Sequence, residues 1–341
     1  MVVEEIDPTD DEILGAWLEV ANASARHALP DEPPLSLEEA RAFARGWAGA
    51  AETVIVVARS PLGKIVGSGL LSMPTKDNLE TAEIVVHVLP AERRRGAGTA
   101  VVEHLEGAAA KKGRTSLTAQ SEYLRGTEPP ARPFATKLGY TPALAESQWV
   151  LRLPVASGFL DRLEAANTGE AEGYRIVTWQ GRTPGDLIEG MVDLQEAMSV
   201  DAPHGELARQ AQAWDAERLH ALEDQVLEMG NTSYLAGAVE RATGRLVAYT
   251  VISVNGASSH TGRQFATIVG AEHRGHRLGL LVKIANLHRL AEQSPSTTRI
   301  QTVNADTNTH MMAVNAALGF VASGHVIAWQ KVVAPPATVA G

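Results

Sequence analysis

An internal repeat constrains the fold of this chain more than any other feature. A turn rich in arginine and glycine that ends at Gly98 recurs in the second half, where it ends at Gly279. A second marker, the Leu-Gly-aromatic triplet around Gly139, recurs around Gly319. Two independent markers with nearly the same offset indicate a duplicated unit, since self-similarity at one period is typical of repeated architecture.

The order of predicted helices and strands supports the duplication. Strand and helix periodicities follow one another in the same order in both halves, and a length of 341 residues suits two domains rather than one. We predict an N-terminal domain over 1–155, a small, polar and acidic linker over 156–173, and a C-terminal domain over 174–335.

Two further predictions concern packing. Residues 206–229 have the pattern of one long polar helix with a solvated face. Trp17, Trp47 and Trp179 fall in helix or strand patterns, and we predict that they are buried in the core rather than part of a substrate pocket.

Composition excludes several classes of site. The chain has no cysteine, which excludes disulfides, thiolate metal sites and a cysteine nucleophile. Its formal net charge of −10 argues against nucleic acid and anionic membranes as partners. The sequence starts with an acidic segment, unlike a signal peptide, and no stretch reaches the roughly 20 apolar residues of a membrane span. We expect a cytoplasmic protein with no bound metal, because the histidines lack metal-ligand spacing.

The clearest chemistry lies in the first turn, residues 93–98, with the sequence RRRGAG. It follows an apolar strand and opens a helix. Glycines let the backbone approach a ligand, and the amides of such a loop form an anion site with the helix N-terminus. The three arginines add positive charge. The turn therefore suits binding of a pyrophosphate. The alternative interpretation is a tight strand-to-helix turn whose arginines are only solvated.

This turn resembles the acyl-CoA pyrophosphate signature of the GNAT superfamily of N-acyltransferases, Gln/Arg-x-x-Gly-x-Gly/Ala, with Arg93, Gly96 and Gly98 in the defining positions. The strand residues 86–89 with the following Pro90, and the triplet around Gly139, are also similar to the family. The resemblance covers essentially the whole chain and implies a tandem, two-domain bacterial member. The implied fold is α/β, of the mixed α+β kind. Each domain would have a central, mostly antiparallel sheet flanked by helices, with its fourth and fifth strands splayed apart.

The second turn, residues 273–279, resembles the same signature with one departure, because Arg277 stands where the first glycine belongs. Arg277 argues against close approach of a phosphate, yet its cationic side chain offers a direct phosphate contact, and both interpretations stay open. Asn308 and the Leu-Gly-Phe triplet around Gly319 are similar to the corresponding end of a common bacterial branch.

From the resemblance we expect acetyl-CoA as co-substrate and no metal. In the family, a bulge separates the strand before the turn from its neighbour, and the exposed backbone pairs with pantetheine. The first-half candidates for binding acetyl-CoA are Val86, Val88, Arg93, Arg94, Arg95, Gly96, Ala97, Gly98 and Thr99. The second-half candidates are Val269, Arg274, Gly275, His276, Arg277, Leu278, Gly279 and Asn308.

The implied reaction is direct attack of a primary amine, on a small molecule or a peptide, on the acyl thioester. In the family the proton acceptor is often a carboxylate on the strand before the turn, and Glu83 is the candidate here. His87 lies on the same strand face, roughly 13 Å further along by strand rise, nearer the thioester. In the second half Gln264 takes the place of Glu83 and cannot act as a base.

Many relatives supply the leaving-group acid from a tyrosine four residues before the helix-ending glycine. This chain has Ala135 and Asn315 there. Tyr123, Tyr140 and a water molecule are the alternative proton donors, and the thiolate can also leave without an acid. We take Tyr123 as the catalytic candidate.

Three functional hypotheses stay open. In the first, the N-terminal domain is catalytic, because it has the better turn and the strand carboxylate. In the second, the C-terminal domain is catalytic, as in the tandem mycothiol synthase group, or both domains are active. In the third, the chain is a non-enzymatic module that binds acyl-CoA or another ligand on a degenerate scaffold. We expect the loops at 27–34 and 200–207 to select the acceptor.

Overall fold

The computed structural model of the chain describes residues 1–46 and 49–333. The strands are β1 (Val2–Glu5), β2 (Ala51–Arg59), β3 (Ile65–Pro74), β4 (Thr81–Val88), β5 (Ser116–Leu124), β6 (Thr141–Arg152), β7 (Tyr174–Gln180), β8 (Asn231–Glu240), β9 (Leu246–Asn255), β10 (Thr261–Val269), β11 (Arg299–Ala305) and β12 (Val321–Val332). The helices are α1 (Asp11–Ala28), α2 (Leu37–Ala44), α3 (Ala97–Lys111), α4 (Arg132–Lys137), α5 (Phe159–Ala165), α6 (Ile188–Asp201), α7 (Ala216–Glu228), α8 (Leu278–Gln293) and α9 (Thr309–Ala317). Within the described residues, every helix is too short or too polar to cross a lipid bilayer.

The chain forms two compact units, and each takes segments from both halves of the sequence. The first unit contains residues 1–145, 204–210 and the described residues from Gly324 onward. The second unit contains residues 146–203 and 211–323.

The domain boundaries inferred from the sequence follow chain order. The domains over 1–155 and 174–335 stay a prediction about the duplication, and residues 334 and 335 lie outside the described chain. The segment between them contains α5, whose Leu160 packs into the core of the second unit.

The sheet of the first unit has the strand order β1-β2-β3-β4-β5-β12. The strands from β1 to β4 pair antiparallel, and β4 and β5 are parallel. Residues 324–332 of β12 pair antiparallel with all of β5, although the two strands belong to opposite halves of the sequence. The core on one face lies under α3, whose Val101 and Leu105 pack against Leu71, Ile84 and Trp329.

The second unit has the corresponding order β7-β8-β9-β10-β11-β6. Here residues 146–152 of β6, from the first half of the sequence, pair antiparallel with β11. The core under α8 contains Ile284 and Leu287 packed against Ile252 and Ile300. Each unit is thus completed by a strand segment from the other half of the sequence.

The parallel strand pair opens early in each unit. Residues 81–83 of β4 pair with residues 116–118 of β5, and β4 then continues to Val88 without β5. In the second unit, residues 261–263 of β10 pair with residues 299–301 of β11 in the same way. The predicted mixed α/β fold, mostly antiparallel with a splayed strand pair in each unit, is confirmed.

A bulge distinguishes the two splayed strands. The register of β10 with β9 shifts between Gln264 and Thr267, which inserts one residue. The register of β4 with β3 is continuous from Glu83 to Val88. The strand bulge that the family resemblance implies is therefore present in β10, whereas the paired residues of β4 keep one register.

The prediction of one long helix over 206–229 is wrong in its first half, since the helix there is α7 alone. We term residues 204–210 the strap. Its backbone amides bond to distant groups instead of to a helical turn: Glu206 to the Ala143 carbonyl at 2.9 Å and Ala208 to Gln330 Oε1 at 2.7 Å. At Gly205 φ is +57°, and a Cβ would lie 2.3 Å from the Ala143 oxygen, so the strap requires glycine there.

The predicted burial of two tryptophans is confirmed. Trp17 is 4% exposed in the first unit and Trp179 is 7% exposed in the second. Trp47 lies outside the described residues.

Replacement of a β12 side chain should destabilise the first unit, although β12 comes from the second half of the sequence. Trp329 is 2% exposed, and its Nε1 donates to Ser121 Oγ at 2.8 Å. Trp329→Ala should lower the free energy of unfolding by about 3–5 kcal/mol. Hydrogen exchange should show lost protection in β3 and β5, whereas the matched variant Trp179→Ala should affect β8 and β9. Lost protection in β8 and β9 caused by Trp329→Ala would contradict the strand pairing.

Candidate active site

The turn after β4 enters α3 through two left-handed residues. Arg94 has φ +64° and Gly96 has φ +90°, and Gly96 is the N-cap of α3. The amide of Ala100 donates to the Gly96 carbonyl at 3.0 Å. No hydrogen bond among the described residues uses the amides of residues 94–99. The turn therefore presents a set of open backbone donors at a helix N-terminus, as an anion site requires.

The second turn has the same backbone conformation with the residue types exchanged. Gly275 has φ +88° and Arg277 has φ +57°. These positions correspond to Arg94 and Gly96, at the same offset that relates Gly279 to Gly98. Arg277 thus changes the side chain at the N-cap of α8 but keeps the left-handed path of the backbone.

Arg93 braces the first turn. Its Nε donates to the Val88 carbonyl at 3.4 Å, and its Nη2 donates to Ser24 Oγ on α1 at 3.1 Å. Burial lowers the pKa of Arg93. Of the other two arginines, Arg95 donates to Glu92 Oε2 at 2.7 Å, whereas Arg94 is exposed. Arg94 forms no ion pair with a described residue, so its charge is available to a ligand.

The arginines of the second turn are both paired with carboxylates. Arg274 repeats the brace, donating from Nε to the Val269 carbonyl at 3.3 Å and from Nη2 to Asp201. Arg277 Nε lies 3.5 Å from Glu170 Oε1. His276 Nδ1 lies 3.0 Å from the Glu170 carbonyl oxygen, which holds this segment against the turn.

The other predicted acetyl-CoA ligands have distinct placements. Ala97 and Leu278 are each 1% exposed and can offer a ligand only their backbone amides. A Cβ on Gly98 would lie 3.2 Å from Phe134 Cζ, so glycine allows this close packing. Asn308 caps α9 by accepting the amide of Met311 at 3.1 Å. Val86 and Val88 lie on β4 beyond its pairing with β5. Thr99 and Gly279 lie in the first turns of α3 and α8, respectively.

Glu83 and His87 lie on the face of β4 opposite the core under α3, since Ala82 and Ile84 alternate with them and are buried there. Solvent reaches Glu83, yet the surrounding protein raises the pKa of its carboxyl, and the charge of Arg209 partly opposes this rise. The carboxylate is thus exposed at the point where β4 parts from β5, and its surroundings favour the protonated form.

His87 stays neutral over most of the pH range. Burial, assisted by the charge of Arg93, lowers the pKa of His87 to about 4. Its lateral partner on β3 is Ser68, whose buried Oγ makes no hydrogen bond with a described residue. His87 can therefore offer a hydrogen bond without carrying a charge.

The structure does not gather the three predicted catalytic residues on one face. Tyr123 packs against the core under α3 and stacks on His325 with ring centroids 5.3 Å apart, so it lies on the opposite face from Glu83 and His87. Tyr140 is 5% exposed and donates to Glu106 Oε1 at 2.9 Å. Burial and Glu106 raise the pKa of Tyr140, which disfavours it as a ligand-facing acid.

The assignment of Gln264 to the place of Glu83 is wrong by one residue, because the bulge in β10 shifts the correspondence. Arg263 is the third residue of the β10–β11 ladder, as Glu83 is of the β4–β5 ladder. The side chain of Gln264 is instead bonded to the neighbouring strand β9, where its Nε2 donates to the Val251 carbonyl at 2.8 Å. A cation thus replaces the first unit's carboxylate at the equivalent position.

Sequence reasoning missed a buried polar chain in the second unit. Lys283 Nζ donates to Asn315 Oδ1 at 3.0 Å, and Asn315 Nδ2 donates to Asn304 Oδ1 at 2.6 Å. Lys283 is 2% exposed, and burial lowers its pKa to about 7. The corresponding residues of the first unit, Val102 and Ala135, are apolar. The available signal was a lysine on the apolar stripe of a helix.

The histidines that the sequence places near the second turn do not assemble a metal site. Across residues 1–46 and 49–333, no three or more His, Cys, Asp or Glu side chains come together as metal binding would require. Tyr174 instead engages His273, with its hydroxyl 3.1 Å from Nδ1.

Comparison with known proteins agrees with the fold of the two units. The model of the Acetyltransferase (GNAT) family matches residues 16–140. A solved tandem GNAT protein from the clavulanic acid biosynthesis pathway, determined without AcCoA, is 30% identical, with 98% of this chain and 99% of that chain covered at a TM-score of 0.80. A GCN5-related N-acetyltransferase from Sphaerobacter thermophilus shares the fold at 17% identity, with 98% and 96% covered and a TM-score of 0.64. No curated protein sequence matches the chain.

The buried lysine should give stability a distinct pH dependence. The folded-state pKa of Lys283 is about 7 against an ordinary 10.5, so between these values the unfolded chain binds more protons and the free energy of unfolding rises with pH. Lys283→Met removes this linkage. Its stability relative to the parent should be highest near pH 6 and should fall by about 2–3 kcal/mol by pH 9 in urea titrations. The exposed Lys111→Met is the control, and a pH-independent difference for Lys283→Met would contradict the prediction.

Proposed function

Because the chain belongs to the GNAT family of acyltransferases, we propose that it is an N-acetyltransferase that transfers the acetyl group of acetyl-CoA to a primary amine of a small molecule or peptide. The amine attacks the thioester carbonyl directly. A C–N bond forms as the C–S bond breaks, and CoA leaves as a thiolate. The observation that carries the proposal is a single strand, β4, with an exposed carboxylate of raised pKa where it parts from β5 and, beyond its end, a turn with open backbone amides.

The first unit would hold the donor along β4. The open amides of residues 94–99 and the exposed Arg94 suit the pyrophosphate. Beyond Glu83, no strand of the described chain pairs with the edge of β4 that faces β5, so its peptide groups are suited to pair with pantetheine as a further strand would. Arg93 would act on the donor indirectly, by fixing the turn to β4 and α1.

Glu83 is the proposed proton acceptor. A raised pKa makes its carboxylate a stronger base, and its exposure to solvent admits the water that would relay the proton. Neutral His87, further along the same face, would direct a hydrogen bond toward the acyl group. Water is the better donor to the thiolate than Tyr140, whose hydroxyl is bonded to Glu106, while Tyr123 stays a candidate on the other sheet face.

Catalysis in the first unit is favoured over catalysis in the second. The second unit has Arg263 where the first has Glu83, and the cations of its turn are paired with Asp201 and Glu170. The second half of the sequence would still serve the first unit, to which it gives β12 and the strap. The cytoplasmic location and the absence of a metal cofactor stay predictions.

Matched charge insertions in the two turns separate the hypotheses. Gly96→Glu places a carboxylate where the pyrophosphate would bind and should raise the KM for acetyl-CoA about tenfold to a hundredfold. Arg277→Glu, at the equivalent position, should change it less than about twofold. Gly96→Asn controls for the left-handed backbone, since asparagine tolerates φ > 0.

The opposite pattern, with turnover lost only in Arg277→Glu, would assign catalysis to the second unit. If the protein binds acetyl-CoA but releases no CoA thiol with any amine of a broad panel, the result would support the non-enzymatic module.

Removal of the proposed base, Glu83, should abolish the fall of kcat/KM at acidic pH. Glu83→Gln should lower kcat about 10²–10⁴-fold. In the parent, kcat/KM should fall on acidification with a midpoint above the ordinary glutamate value, because the pKa of Glu83 is raised and only the carboxylate accepts a proton. Glu103→Gln, exposed on α3, is the control. Retention of the acidic limb in Glu83→Gln would assign the base to another group.

A further inference from the structure

The strap lies on the same face of the first unit's sheet as Glu83. Glu83 on β4, Thr118 on β5 and Gln330 on β12 are lateral partners across three strands. Lateral partners point to the same face of a sheet. The Gln330 side chain binds the strap at two atoms: Oε1 accepts the amide of Ala208 at 2.7 Å, and Nε2 donates to the Glu206 carbonyl at 3.0 Å. The strap therefore crosses this face two strands away from Glu83.

The other end of the strap is fixed just before β4 begins. The amide of Gln210 donates to Asn78 Oδ1 at 2.6 Å, and its Nε2 donates to Glu80 Oε1 at 3.1 Å. Leu207 is 5% exposed and packs against Ala143 and Ala328. With its two neighbours, residues 208 and 210, both tied down, Arg209 is presented from a fixed backbone.

The strap places Arg209 over the sheet face that carries Glu83, and the two side chains do not pair. The Arg209 side chain is exposed, and it forms no hydrogen bond or ion pair with a described residue. Its charge nevertheless reaches Glu83, where it opposes the effect of burial on the pKa of the carboxyl. A cation and an anion thus lie on the same face of the sheet, and both side chains are exposed to a third molecule.

We propose that Glu83 and Arg209 form a two-point site for an acceptor that carries a carboxylate beside its primary amine, that is, an amino acid or another aminocarboxylate. This proposal rests on the proposed function. Arg209 would hold the acceptor carboxylate through the paired donors of its guanidinium, and Glu83 would hold the ammonium. An acceptor without a carboxylate leaves Arg209 unmatched, and an acceptor with a second cation is repelled by it.

The reaction balances with this arrangement. The ammonium loses one proton through Glu83 to water, and the free amine attacks the acetyl carbon. Its nitrogen loses a second proton to water as the amide bond forms. The C–S bond breaks, the CoA thiolate takes a proton from water, and the acceptor carboxylate is unchanged. Arg209 selects the acceptor and takes no part in bond making.

The test measures release of the CoA thiol at saturating acetyl-CoA with matched acceptors. The pairs are L-alanine and L-alaninamide, 4-aminobutyrate and butylamine, and 6-aminohexanoate and hexylamine. The parent should show a kcat/KM for the preferred aminocarboxylate at least about tenfold above that for its partner. Arg209→Gln should remove this preference by raising the KM for the aminocarboxylate. Arg209→Lys keeps the positive charge but lacks the paired donors of the guanidinium, so it should retain part of the preference. Lys111→Gln, which removes an exposed charge on α3, should leave the preference intact.

Each outcome separates the two proposals. Acetylation of amines with no preference for a carboxylate overturns the inference and leaves the proposed function standing. No thiol release with any amine overturns the proposed function and the inference with it. If Arg209→Gln changes both members of each pair equally and moves only the acidic limb of the pH profile, Arg209 tunes Glu83 and does not bind the acceptor, which also overturns the inference.

Discussion

The early end of the pairing between β4 and β5 is the constraint on which the first unit's site depends. Two adjacent strands that part after residue 83 leave the edge of β4 without a sheet partner up to Val88. Buried peptide groups require hydrogen-bond partners, so such an edge is stable only where water or a ligand completes it. The same strand then fixes two chemically different ends, a carboxylate where the opening starts and an anion turn where it stops. The open edge from Glu83 to Val88 spans about 16 Å by strand rise, and the turn follows beyond it.

The two turns share one backbone conformation but differ in the pairing of their charged side chains. Arg94 and Gly96 in one turn, and Gly275 and Arg277 in the other, supply left-handed residues at equivalent positions. A left-handed residue with a side chain costs roughly 1–2 kcal/mol relative to glycine, and each turn contains one of them. The backbone strain is therefore similar in both turns. The units differ in their electrostatics, because the cations of the second turn are neutralised by carboxylates from the same unit.

The sequence was sufficient for features that depend on local pattern. The repeat and the turn that opens α3 follow from spacing and glycine placement, and the splayed strands follow from the family resemblance of that turn. Features that depend on distant partners were not predictable in this way. The alternating pattern of β12 suits pairing with any strand, and the helix-like pattern of the strap is overridden by bonds to Asn78, Ala143 and Gln330. The bulge in β10 shifted the equivalent of Glu83 from Gln264 to Arg263, since one inserted residue has no periodic signal of its own.

Each unit is completed by a strand from the other half of the sequence, β12 in the first and β6 in the second, and this affects how the chain folds during synthesis. β5 ends at Leu124, whereas its partner in β12 begins only at Gly324, in the other half of the sequence. At about 5–20 residues per second, a ribosome needs roughly 10–40 s to add the intervening chain. Throughout this interval the nascent first unit exposes one open edge of β5, the kind of edge that promotes pairing between chains. A chaperone that shields β5 on the ribosome would therefore matter more to the yield of this protein than to that of a chain whose domains close in order.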